Sequence, residues 1–146
     1  MADTTPQNYA NHVRYHAPFH YFMMPLLLLN FLFAIAQLWR FPDLDHLIWL
    51  VMSFGFMVIL LLTRTNALQV QNRVIRLEEQ LRYARVLPAD LASKAGALAV
   101  GQIVALRFAS DEELPALVQQ TLDGKFAKGD DIKRAVKNWR ADDLRV

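Results

Sequence analysis

The chain has 146 residues, 54% of them apolar, with no cysteine and a formal net charge of +2. That length holds one small unit, or a hairpin plus a modest soluble domain, and the missing cysteines exclude disulfides, zinc–thiolate centres and iron–sulfur ligation. Net charge selects no partner, but its distribution is uneven: five arginines stand against two glutamates between Arg64 and Leu87, while nine cations balance nine anions from Pro88 onward.

Residues 1–18 form an N-terminal segment in which His12 and His16, with His20 just beyond, recur every fourth position. On a continuous helix these three imidazoles would share one face, the spacing that a helix-borne metal or haem site uses. Pro18 opposes that helix by pushing Ala17 towards extended geometry. Histidines mixed with Tyr9, Tyr15 and Tyr21 also read as an interfacial aromatic belt. The metal reading therefore stands as the alternative, and no cofactor is expected.

Residues 19–63 read as a transmembrane hairpin with spans 19–39 and 46–63. About 20 apolar residues cross a bilayer, and Phe19–Trp39 is interrupted only by His20, Asn30 and Gln37. The apolar core of the second span, Leu47–Leu62, is shorter and needs His46 and Thr63 to complete it. Runs such as Pro25–Leu29 and Met57–Leu62 leave no polar face for water, which argues against a soluble helical hairpin. Ala34-Ile35-Ala36 has the small-residue spacing of a signal-peptidase site, but the long preceding segment with one arginine and the apolar Leu38-Trp39 behind it argue against cleavage. Pro42, Asp43 and Asp45 supply a turn and an N-cap, and Pro25 predicts a kink. Arg14 before the hairpin and Arg64, Arg73 and Arg76 after it place both termini on the cytoplasmic side. Residues whose numbers sum to about 86 then lie at similar depth in a hairpin turning near Asp43. Asn30 falls opposite Gly55, with Ser53 a turn away. These three are expected to pack the helices, Gly55 by close backbone approach and Asn30 through an interhelical hydrogen bond.

Residues 64–87 continue the helix without a break until Pro88. Ala67, Val70, Val74, Leu77, Leu81 and Ala84 recur at spacings of three and four, a coiled-coil seam of barely two and a half heptads. The seam packs either on other copies or on the chain's own C-terminal helices. Residues 88–146 read as a small helical cytoplasmic domain. One helix opens at Pro88 and runs to about Ala95, another covers Gln102–Phe108, and a third is capped by Ser110 and Glu113 and ends at Gly124. The last, capped by Asp130 or Asp131, carries a stripe of Ile132, Ala135, Val136 and Trp139. Lys133, Arg134, Lys137 and Arg140 read as a solvated face rather than a nucleic-acid patch, because aspartates surround them.

The chain carries no nucleophile with its base, no paired carboxylates in a cleft pattern and no phosphate loop, so it is not expected to be an enzyme. The fold class is all-α: a two-helix transmembrane hairpin, its second helix continuing into a long cytoplasmic helix, then a small helical domain. The expected partners are the lipid bilayer and either a homo-oligomer or another membrane-complex subunit. Arg73, Arg76, Glu78, Glu79, Arg107 and Trp139 are the candidate contact residues.

The strings Gln7–Tyr15 with Phe19-His20, Gln71–Glu79, Leu106–Leu114, Ile132-Lys133 to Trp139-Arg140, and Arg145-Val146 resemble an uncharacterised bacterial membrane-protein family defined by a domain of unknown function. The likeness covers nearly the whole chain. It implies two membrane helices and a bacterial host, and carries no catalytic residue.

Overall fold

The computed structural model describes residues 6–13 and 15–142, so Arg14, Asp143, Arg145 and Val146 of the readings above lie outside it. The described residues divide into two compact units, one of residues 15–69 and one joining residues 6–13 to residues 70–142. Among them the regular structure is helical, apart from an isolated bridge between Ala109 and Trp139.

In the first unit, α1 spans Pro18–Arg40. Its opening stretch, Pro18–Met23, is π-helical, with the Met24 amide donating to the Phe19 carbonyl five residues back. The wider turn sits directly before Pro25, whose ring would otherwise press on the Tyr21 carbonyl. A π turn thus directly precedes the proline at which the kink is expected. α1 closes as the Phe41 amide donates to Gln37 O at 2.8 Å, and Asp43 then caps α2, its Oδ1 accepting the His46 amide at 2.9 Å.

Helix α2 covers Leu44–Val86 without interruption, about 65 Å at 1.5 Å per residue. Asn30 Nδ2 donates to Ser53 Oγ at 2.8 Å, tying α1 to α2. Phe31 meets Phe54, and Phe33 meets the Trp49 ring edge-on, with centroids 6.1 and 5.5 Å apart. Ala34 and Ser53 are the buried side chains of this contact. Gly55 plays no part in it: a Cβ added there would meet nothing within 4 Å, so the close approach expected at Gly55 falls instead to Ala34 and Ser53. Both helices are long and apolar enough to cross a membrane, and only 6% of either apolar window is buried within the protein.

The second unit holds α3 (Ala89–Ala95), α4 (Val100–Leu106), α5 (Leu114–Leu122) and α6 (Gly129–Ala135). Its core gathers Tyr83 from α2 and Leu87 just beyond it with Leu106, Leu114, Val118, Ile132 and Val136. α4 and α6 approach so closely that a Cβ at Gly129 would lie 2.5 Å from the Gly101 carbonyl oxygen. Gly124, at φ +79°, ends α5 in the left-handed region.

Three local expectations need correction. The capping box at Ser110 is not formed: residues 111–113 make a turn, and α5 begins at Leu114 with Pro115 in its first turn. Glu113 is spent elsewhere, its carboxylate accepting the Lys137 and Asn138 amides at 3.2 and 3.1 Å. α6 is capped at Lys128, with the Asp131 carboxylate reaching back to the Lys128 amide at 3.2 Å. Trp139 lies beyond that helix, since Val136 is already extended and Ser110 N and Arg140 N pair with Asn138 O and Phe108 O.

Candidate functional site

The C-terminal half of α2 presents two unlike faces. One face carries Ile75, Glu79, Arg82 and Tyr83, all buried. Arg82 is the centre of that contact. It pairs with Glu79 at 3.2 Å, with Asp111 at 2.5 Å, and donates to the Ala109 carbonyl at 2.7 Å. Arg140 reaches the other Glu79 oxygen at 3.4 Å. Burial raises the Glu79 carboxyl above its ordinary range, and Arg82 and Arg140 oppose that shift. Burial also pushes the Tyr83 phenol up, reinforced by the neighbouring Glu79 charge.

The other face carries the heptad seam, and it is bare. Val70, Val74, Leu77 and Leu81 are 60%, 46%, 61% and 69% exposed. The chain's own C-terminal helices therefore do not cover the seam, which removes one of its two readings. They dock on the back of the same helix, at positions 75, 79, 82 and 83.

The contact residues expected from sequence are split by this geometry. Arg73, Arg76 and Glu78 are exposed on α2. Glu79 and Arg107 are buried, so they hold the domain together and are not available to a partner. Arg107 pairs with Asp142 at 2.8 Å and stacks over the Phe108 ring. Trp139 is half-buried against Phe108, at 4.9 Å between centroids. A cleft of about 610 Å³ beside them is lined by Arg82, Arg85, Arg107 and Arg140 against Glu78, Glu79 and Asp142, too nearly balanced in charge to select an anion.

The histidines do not share a helical face, because His12 and His16 precede the helix that Pro18 begins. His12 is buried in the second unit, its ring beside Phe108 and Trp139. Its Nδ1 lies 2.6 Å from the Tyr9 carbonyl, which only accepts, so Nδ1 carries the proton and Nε2 accepts from Lys133 at 3.2 Å. His20 Nδ1 faces the His16 carbonyl at 3.0 Å. Among the described residues no group of three or more His, Cys, Asp or Glu is placed to hold a metal ion.

Sequence reasoning missed the docking of the N-terminal segment. Tyr9 donates to Asp130 at 2.8 Å and accepts from Arg134 Nε at 2.9 Å, while Gln7 accepts the Asp142 amide at 2.9 Å. The Tyr9 hydroxyl, with help from Arg134 and Lys133, holds the Asp130 carboxyl below its ordinary range. Lys133, Arg134 and Arg140 are thus engaged within the chain. The strings that open, bridge and close this unit, Gln7–His12, Leu106–Leu114 and Ile132–Arg140, are those that carry the resemblance noted in the sequence. A family model described as a family of unknown function (DUF6526) matches residues 1–146. The chain belongs to that family. No curated protein and no solved structure matches it. The family's description names no activity.

Proposed function

We propose that the protein is a non-enzymatic integral membrane protein, a membrane-anchored scaffold or accessory subunit acting through protein–protein contacts of its cytoplasmic helical tail. The observation that carries this reading is exposed apolar surface: α1 and the first half of α2 expose Leu29, Trp39, Val51 and Ile59, among others, by more than half. The core helix of a soluble domain hides such residues; a lipid-facing helix does not. The Asn30–Ser53 bond pairs two polar side chains of the hairpin with each other, and Thr63 and Thr65 donate to the Ile59 and Leu61 carbonyls of their own helix. Packing of residues 6–13 with residues 70–142 supports a topology in which both ends of the hairpin lie on one side of the bilayer. The excess of arginine after the second span favours the cytoplasmic side of a bacterial inner membrane.

Fractionation of expressing cells tests the anchor. The protein is expected in the membrane pellet after an alkaline carbonate wash and in solution only with detergent. Dispersal in plain buffer would end this reading. The scaffold role is tested by cross-linking in native membranes followed by mass analysis: a specific adduct supports it, and a strictly solitary chain contradicts it.

A further inference from the structure

The bare seam of α2 repeats as a heptad whose register is read directly from the residues. With Ala67, Val74 and Leu81 at a, and Val70, Leu77 and Ala84 at d, Arg73 falls at g and Glu78 at the following e. Ile75, Arg82 and Tyr83 occupy b and c, and Glu79 and Val86 occupy f. These are the positions on which the C-terminal helices dock. The domain therefore sits behind the seam and leaves it open, which is the arrangement that lets two α2 helices meet without displacing anything. Val74 at a with Leu77 at d is the pairing preferred by parallel two-stranded coils, while Val70 at d and Leu81 at a do not select that state, so the strand number rests on the charge pairing below.

From this we infer that the seam is the contact with a second copy of the same chain, a parallel coiled coil of two α2 helices registered at Val70, Val74, Leu77, Leu81 and Ala84. In a parallel pair, g of one helix faces e of the next heptad on the other. Arg73 then meets Glu78 of the second copy, and by symmetry the pair occurs twice. Both side chains are exposed. Gln80 and Arg85, the next g and e, add no like-charge repulsion. The seam is short for a free coiled coil, but two chains anchored in one bilayer with one topology are held parallel and concentrated. The inference rests on the membrane-anchor reading and names the partner within it.

Because the chain has no cysteine, single substitutions report the contact without background. Full-length Leu77→Cys and Arg76→Cys proteins in native membranes are oxidised with copper phenanthroline. Dimers of twice the chain mass are expected at position 77, on the seam, and not at position 76, which points away from it. Arg73→Glu in the Leu77→Cys background is expected to lower the dimer yield about fivefold, the scale of two exposed ion pairs turned repulsive. Glu78→Arg should do the same, and the double exchange should restore the yield. Equal cross-linking at 76 and 77, an adduct of any other mass, or no rescue by the double exchange overturns the second copy as occupant. The protein would still pellet through carbonate in each of those cases, whereas loss from the pellet marks failure of the membrane reading itself.

Discussion

Replacing Arg82 by methionine removes the cation around which the C-terminal helices are docked. Three contacts vanish together: the pair with Glu79, the pair with Asp111 and the donor to the Ala109 carbonyl. Asp111 is mostly solvated, so its loss costs little. Glu79 is another matter, because its side chain is only 4% exposed and its remaining partner, Arg140, is 55% exposed. A buried carboxylate losing its close cation costs about 3–5 kcal/mol, and the orphaned carbonyl falls within that range. The penalty also has a definite pH dependence. Burial raises the Glu79 carboxyl in the folded protein, so just above the unfolded chain's value of 4.5 the native state binds more proton than the unfolded chain does. Stability from this group is therefore greatest in acid and declines as pH rises through the native value, and Arg82→Met steepens that decline. Hydrogen exchange of residues 100–122 in detergent micelles reads the opening free energy of the domain. Arg82→Met should lower it by about 3–5 kcal/mol near neutrality and by less near pH 5. Glu79→Leu in the same chain should recover most of the loss. A loss below about 1 kcal/mol, or a double variant no better than the single, refutes the claim that this pair is the docking centre.

Other perturbations test separate parts of the fold. Gly129→Ala drives a methyl group onto the Gly101 carbonyl, 2.5 Å away. It should destabilise α4 against α6 by about 1–3 kcal/mol in the same exchange assay, and an unchanged pattern would contradict the close crossing. Tyr83→Phe removes a buried hydroxyl with no hydrogen-bond partner among the described residues. Its thermal midpoint should hold or rise, and a marked drop would show that the hydroxyl is satisfied after all. Asn30→Ala breaks the bond to Ser53 and should weaken the hairpin by about 0.6–2 kcal/mol, measured by resistance to denaturing detergent. A variant indistinguishable from wild type would mean that apolar packing alone holds α1 to α2.

The hairpin was legible because hydropathy, turn chemistry and length all report one property of a segment. α1 and the lower half of α2 follow the apolar runs closely, and the stops at Gly96 and Gly124 follow from residues that end helices wherever they occur. The docking of the tail was not legible for a physical reason. Periodicity marks the apolar stripe as the core face, yet the buried face of α2 is built largely from Glu79, Arg82 and Tyr83, and the apolar stripe is the open one. Charged residues at helical spacing look alike in sequence whether solvated or paired across the fold. The Tyr9 and His12 contacts with α6 were hidden for a related reason. They join positions 121 or more residues apart, and nothing local to residues 6–13 reports on them. Ser110 and Glu113 show the converse, a capping signature overridden when a tertiary loop competed for the carboxylate.

A cysteine-free chain also permits a direct test of where the polypeptide lies relative to lipid. Single cysteines at Asp45, in the first turn of α2, and at Asn72, beyond the second span, are probed on intact cells with a membrane-impermeant maleimide. Labelling at 45 without lysis, and at 72 only after permeabilisation, is the predicted result. Equal labelling of both sites before lysis, or protection of both until lysis, contradicts a hairpin that crosses the bilayer twice.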